Sequence, residues 1–460
     1  MKIIINDRFK DNMERLVFLF VIRYIYLNLG LQVLSIEKYS LSESGGFDIS
    51  FNSDKELLAL LVFFIISFIF LGIKQSNGFN YYVNILLYIV YYIPINVAFS
   101  INDRDYGFFI LTNMFYLFFM LALRKNTIYL IDRSFENIRI NYFRVRIGFM
   151  LICLMMIAYK LTVSGVSFDF GFSTEMIYGN REAYVNNLSS GTLAYLFRLI
   201  VVNGGSIISL IYLYISLKKR WPIDIIVSLL CILSRYALTY EKTIILLLPV
   251  IILSFLIFER KYINISKIVL RGAVILLLVL ESVYIIFEDS GIYYLIVRRI
   301  MFMPAWLSGI YYDFFSTSTK IWFSDDAFLL ENLIPNTYSE SPLKLISNYY
   351  FLGLMSSPNT GLFGEAYMQA GVIGIFLFPL IFYILFRFIE VTYSPFGAGI
   401  EFVVAVFVVL TITNQPILSR SAVFSVIFPT VFVYILSRYI VVDKKYSKKV
   451  KKEREESVWF

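Results

Sequence analysis

LLALLVFFIISFIFLGI, residues 57–73, decides the fold. The run carries no charged side chain; Lys55 and Glu56 close it at one end and Lys74 at the other. A helix across the hydrocarbon core needs about 20 mostly apolar residues. Soluble proteins seldom sustain such a stretch, and here it recurs along the whole chain. Working outward, eleven further segments fit the same template: 16–36, 82–100, 107–123, 147–163, 192–217, 222–239, 243–258, 272–287, 366–387, 400–414 and 421–440. The expected fold is therefore all-α, a polytopic integral membrane protein of about twelve transmembrane helices, with residues 1–460 forming one transmembrane domain.

Composition agrees. Of 460 residues, 59% are hydrophobic and 16% charged, and the mean hydropathy is +0.73. Soluble domains average about 45–50% apolar and about 25% charged, so a soluble enzyme, a disordered chain and a disulfide scaffold are all excluded. Histidine is absent, so no step can use imidazole as base, shuttle or metal ligand. Cys153 and Cys231 both stand in apolar runs and read as core thiols. The first segment is too long for a cleaved leader and has no small-residue cleavage site, so it reads as a retained anchor.

Lysine and arginine set the orientation. With the N-terminus in the cytoplasm, 27 of the 41 fall in cytoplasmic segments, ten in the opposite loops, and Arg23, Lys160, Arg198 and Arg235 inside spans. Both termini are expected inside. The basic tail over 441–460 then faces anionic lipid headgroups, and the net charge of +8 calls for no nucleic acid. Two long extracytoplasmic loops remain, 164–191 and 288–365. The second is rich in Tyr, Phe and Trp, holds amphipathic pieces such as 293–309, and is too long to be a mere connector.

Ionisable residues inside spans are functional hypotheses by default. Lys160 sits near a span end and reads as a snorkelling side chain; Arg23 and Arg235 read as structural. Arg198 is open between a cavity-facing role and ion pairing, and Glu281 is the one acidic residue of this group. In the loops, Arg181 (YGNREAY) and Lys242 (LTYEKTII) place cations at the outer surface, where a solvated loop and an interfacial snorkel are the plain alternatives. Arg298 and Arg299 stand side by side in YYLIVRRIMFMPAWLSGIYYDFF. Their planar forks suit phosphate oxygens, although adjacent helical residues diverge by about 100°. Downstream, SSPNTGLFGEAYMQAGVIG (356–374) runs from a Pro-Asn-Thr-Gly turn into a helix on which Glu365 and Gln369 share a face. Partial desolvation there would tune Glu365 toward a general base. The alternative is a carboxylate favoured by the helix dipole.

RRIMFMPA (298–305), YYDFF (311–315) and NTGLFGEAYMQAGVIG (359–374), with EKTIILLL (241–248) as weaker support, resemble the O-antigen polymerases, the Wzy-type oligosaccharide repeat-unit polymerases of bacterial inner membranes. The span count and the large outer loop agree along nearly the whole chain, while the motifs cover about 285–375. The resemblance implies transfer of a growing glycan from undecaprenyl pyrophosphate to the next lipid-linked unit on the periplasmic face. It also implies a chain-length regulator protein as partner. Such a reaction needs cations at the leaving pyrophosphate and a base at the acceptor hydroxyl. The candidate base is Glu365, with Asp313 second and equally suited to orienting an arginine. The candidate pyrophosphate and substrate contacts are Arg181, Arg198, Lys242, Arg298, Arg299, Tyr311 and Asn359. No cofactor and no metal is expected, and direct displacement predicts inversion at the anomeric carbon. An O-antigen ligase, a capsule or exopolysaccharide polymerase, and a lipid-linked oligosaccharide flippase remain as alternatives. The ligase family relies on a histidine that this chain lacks. A transporter more often shows repeats and helices broken near the midplane.

Overall fold

The structure is a computed structural model. It describes residues 2–34, 50–72, 78–102, 104–123, 139–165, 197–239, 242–258, 265–287, 297, 301–325, 327–328, 330, 333–351, 358 and 360–439. In chain order the helices are α1 (Lys2–Leu34), α2 (Ser53–Gly72), α3 (Phe79–Leu87), α4 (Ile93–Ile101), α5 (Tyr106–Ala122), α6 (Tyr142–Ser164), α7 (Gly205–Lys219) and α8 (Pro222–Thr239). There follow α9 (Lys242–Phe258), α10 (Ile265–Phe287), α11 (Met303–Thr317), α12 (Pro342–Phe351), α13 (Phe363–Tyr393), α14 (Ala398–Asn414), α15 (Arg420–Ala422) and α16 (Phe428–Ser437). One two-residue antiparallel pair joins Arg139–Ile140 to Arg438–Tyr439.

Helix occupies each of the twelve apolar segments. Among the described residues, seven helices are long and apolar enough to cross a membrane, and Tyr106–Ala122, Leu247–Phe258 and Ala398–Asn414 are shorter apolar helices. The chain is thus an all-helical protein with the character of a membrane-embedded one. Among the described residues, π-turns are built into the helical runs at Tyr88–Tyr92, Leu199–Gly204 and Val423–Ile427. Such turns are rare and gather at functional or strained places.

The chain divides into two compact units. Unit 1 comprises 1–127, 246–390 and 398–427; unit 2 comprises 128–245, 391–397 and 428–460. In unit 2, α6, α7 and α8 pack chiefly on one another, which is why they separate as a body. Several of its polar groups pair across helices: Arg146 donates to both oxygens of Asp224 (3.0 and 2.8 Å), Tyr212 donates to the same carboxylate, and Arg235 Nε donates to Ser206 Oγ at 2.7 Å. Cys153 and Cys231 are free, buried thiols, as expected of core residues. Lys160 is buried, and its Nζ reaches the end of its own helix, where it donates to Gly165 O at 2.6 Å.

In unit 1, α1 packs on α4 and α10, α2 on α4, and α3 on α14. In the first half of α1, Glu14 accepts from Lys267 (2.8 Å) and Arg271 (2.5 Å) on α10, and those bonds hold its carboxyl down at about 2. Arg23 is structural, as read: Nη1 and Nη2 grip Glu56 at 2.6 and 2.8 Å, and Nε donates to Asn96 at 2.8 Å. The core of this unit is aromatic. Phe70 stacks on Tyr88 at 4.4 Å and Tyr92 on Tyr116 at 4.6 Å. Burying a hydroxyl is unfavourable unless it is bonded, and the π-turn meets that demand. It turns Tyr88 to Ser67 (2.6 Å), Tyr92 to Asn113 (2.9 Å) and Tyr91 to Ser308 (2.9 Å).

Candidate functional site

The chemistry-bearing residues of unit 1 gather around α11, at the end where α4 stops and α13 begins. α11 opens on Met303-Pro304, with proline where its missing N–H is not needed. Its first half buries Ala305, Trp306, Leu307, Ser308, Ile310 and Tyr311. Ser308 meets Tyr91, whose hydroxyl also accepts the Phe363 N–H at 3.2 Å. The π-turn, α11 and the first residue of α13 are therefore tied together at one point. Tyr311, a candidate contact, donates to Pro358 O at 2.9 Å and is buried, so it holds the turn before α13.

One turn further along α11 is the central feature. Asp313 forms an ion pair with Arg104, from the short segment between α4 and α5. The Arg104 side chain is 12% exposed and the Asp313 side chain 34%. The guanidinium lies over the Trp306 ring at 6.0 Å, and Lys55 Nζ donates to the Arg104 carbonyl at 2.8 Å. Gly309 makes the room: a Cβ there would stand 2.9 Å from Arg104 Nε. Burial raises the Asp313 carboxyl above its ordinary value, and the Arg104 charge only partly offsets this. Burial likewise lowers the Arg104 guanidinium, with Asp313 opposing. Tyr350, next to the pair, is pushed up to about 12 by burial first and by the Asp313 charge second. Tyr312 donates to Asp105 Oδ2 at 3.0 Å on the neighbouring face. The result is a largely buried cation beside a partly exposed carboxylate, framed by tyrosines. The arrangement can bind an anion through the remaining donors of the fork and exchange a proton at Asp313.

Glu365 is placed otherwise. It has 0% exposure, and its two oxygens accept the Ile417 and Leu418 N–H groups at 2.8 and 3.1 Å. It anchors the turn between α14 and α15. Gln369 does the same for a second loop: its Oε1 accepts the Phe323 N–H at 2.7 Å and its Nε2 donates to Asp325 O at 3.4 Å. The shared face inferred from their spacing is thus a face that stitches backbone. Just beyond it α13 breaks, at Ala370 (φ −140°, ψ 16°) and Gly371 (φ 56°, ψ −135°). The carbonyls freed at Met368 and Gln369 accept the Ile321 and Trp322 N–H groups at 3.2 and 2.9 Å.

Of the other candidates, Arg198 leads into the π-turn Leu199–Gly204 in unit 2 and is partly exposed. Lys242 begins α9, and its side chain lies outside the described residues, as do Arg181, Arg298, Arg299 and Asn359. Sequence reasoning missed Arg104. Its signal was INDRDY (101–106), a dense set of charges in a very short interval between two apolar runs. Among the described residues, no group of three or more His, Cys, Asp and Glu side chains is placed to hold a metal ion. No protein-family model, no curated protein and no solved structure matches the chain.

Proposed function

We propose that the protein is a polysaccharide polymerase of the O-antigen type. It joins oligosaccharide repeat units carried on undecaprenyl pyrophosphate, at the extracytoplasmic face of a bacterial inner membrane. On this reading the chain crosses the membrane twelve times with both termini in the cytoplasm, and the 288–365 segment faces outward beside a chain-length regulator. The support from sequence is the motif set at 298–305, 311–315 and 359–374 and the 27-to-10 division of basic residues. The observation that carries the reading is the ion pair between Asp313, on α11 within that outer segment, and Arg104, from the segment between α4 and α5.

The chemistry follows from the pair. The acceptor hydroxyl attacks the anomeric carbon, a new C–O bond forms on one face, and the bond to the pyrophosphate oxygen breaks on the other, with inversion. The leaving electron pair stays on the lipid pyrophosphate, where negative charge grows. Arg104 stabilises that charge most in the transition state. The hydroxyl proton passes to Asp313, whose raised carboxyl brings it closer to a working base. Asp313 is preferred to Glu365 for this role because solvent reaches it.

The break in α13 raises the transporter alternative, since interrupted helices hold ions in many carriers. Here the freed carbonyls are taken by the backbone of 321–322, so the break docks a loop and the enzyme reading stands. The test is the lipopolysaccharide ladder of a deletion strain complemented with Arg104→Ala or Asp313→Asn. A single capped repeat unit in the deletion, restored by the wild-type gene and by neither variant at normal abundance, is the expected result. Complete loss of attached repeat units in the deletion would point to a ligase or a flippase and overturn the proposal.

A further inference from the structure

Backbone strain in unit 1 is concentrated in one place. Among the described residues of that unit, positive φ occurs at Trp322 (48°), Phe323 (67°), Leu362 (50°) and Gly371 (56°). All four belong to the first half of α13, its lead-in, or the loop bonded to it. For a non-glycine residue this conformation crowds Cβ against the following carbonyl, and for bulky residues it is an outlier. Two such residues in succession, a tryptophan and a phenylalanine, are held there by named bonds. The Trp322 N–H donates to Gln369 O and the Phe323 N–H to Gln369 Oε1. Strain that the surroundings over-determine marks function more often than accident.

The strain has one visible product. Phe323 turns inward and lies parallel to Phe378, 6.0 Å between centroids and 3° between planes. Trp322 is left standing outward, 49% exposed, whereas Trp306 of the same unit is 1% exposed. A strained turn, held by those two bonds, presents the Trp322 indole. We propose that Trp322 is a stacking platform for a pyranose ring of the lipid-linked glycan. The negative face of the indole takes the polarised C–H face of the sugar, and its edge N–H is available to a hydroxyl. This inference rests on the polymerase reading for the identity of its ligand.

The rival is an interfacial anchor, since tryptophan also favours membrane–water boundaries. The test uses the full-length protein in nanodiscs and undecaprenyl-pyrophosphate-linked repeat units extracted from a strain deleted for this gene. Trp322→Ala and Trp322→Leu should each raise KM roughly three- to tenfold, the size of one aromatic contact, with kcat within about twofold, because uniform binding is lost. Trp322→Tyr should stay close to wild type. Wild-type behaviour of the leucine variant would mean an anchor, and an unchanged KM in the alanine variant would mean no contact; either overturns the proposal. A second measurement separates this claim from the activity. With 5-fluorotryptophan incorporated, the resonance absent from Trp322→Tyr is that of Trp322, and it should shift when the delipidated repeat-unit oligosaccharide is added. A shift without elongation by the wild-type protein would retire the polymerase reading and keep the platform. Elongation without a shift would do the reverse.

Discussion

Glu365 separates an anchor from a catalyst. Glu365→Ala removes the acceptor of two backbone N–H groups, Ile417 and Leu418. Ile417 is buried, so its orphaned N–H bears the full desolvation penalty of about 1–3 kcal/mol. Leu418 is half-buried and recovers part of its loss from water. Adding the two, Glu365→Ala should lower stability by roughly 2–4 kcal/mol, a large fraction of the about 5–15 kcal/mol that holds a typical domain together. Glu365→Gln keeps one carbonyl oxygen and turns an NH2 toward the other amide, so it should lose about half as much. The assay is the thermal midpoint of purified protein by size-exclusion recovery, read beside the polymer ladder at matched abundance. The anchor account requires a graded fall in midpoint, alanine below glutamine below wild type, with polymer tracking the amount of folded protein. A glutamine variant with the wild-type midpoint and no polymer would refute it and return Glu365 to the role of base.

Three further outcomes follow from the same geometry. Arg104 holds the Asp313 carboxyl down against burial, so Arg104→Ala should move the acidic limb of the pH–rate profile to higher pH. In the same variant, stability should be retained at acid pH and fall as pH rises past the ordinary aspartate range, since a raised carboxyl favours the protonated native state; an unmoved limb would exclude Asp313 as the base. Gly361→Ala and Gly374→Ala each drive a Cβ into a backbone oxygen, that of Ile412 and that of Ala366 respectively, and backbone cannot rotate away. Either should cost at least about 1–3 kcal/mol and show as lost folded protein on gel filtration, and a normal elution profile would contradict this. Both Trp322→Gly and Trp322→Ala lose the half-buried indole, but only glycine relieves a left-handed strain of about 1–2 kcal/mol, against about 0.5–1 kcal/mol of added chain entropy. The glycine variant should therefore melt at or above the alanine variant while transfer falls in both, and a glycine variant clearly below alanine would show that the turn is not strained.

The helical membrane character was legible because long apolar runs are what a membrane helix requires, and among the described residues helix falls in each of those runs. What local pattern could not carry was pairing at a distance. Arg104 and Asp313 are 209 residues apart and Tyr91 and Ser308 are 217 apart, so neither partner announces the other. The spacing of Glu365 and Gln369 did report a shared face. The chemistry of that face depends on whether the amides of 417–418 and 323 arrive there, and no local pattern encodes that. The π-turns were equally hidden, since YIVYY (88–92) reads as ordinary helix until its hydroxyls are seen to need separate partners. Gly371 and Gly374 were the one printed hint of the break in α13, and they were read as part of a continuous span.

The described part of the segment that carries the resemblance, 360–374, is tied to several distant stretches of unit 1. Phe363 is tied to the π-turn, Glu365 to the turn after α14, Gln369 and the broken helix to the strained loop, and Gly361 and Gly374 permit backbone contacts that no other residue allows. A motif can mark a family because it assembles the site without itself performing the reaction. If that division holds, substitutions along 361–374 should act through the amount of folded protein. Substitutions at Arg104, between α4 and α5, and at Asp313, on α11, whose paired charges tie no backbone together, should act on turnover at constant amount. The two classes would then separate on a plot of polymer against abundance: the first along the line set by diluted wild type, the second below it.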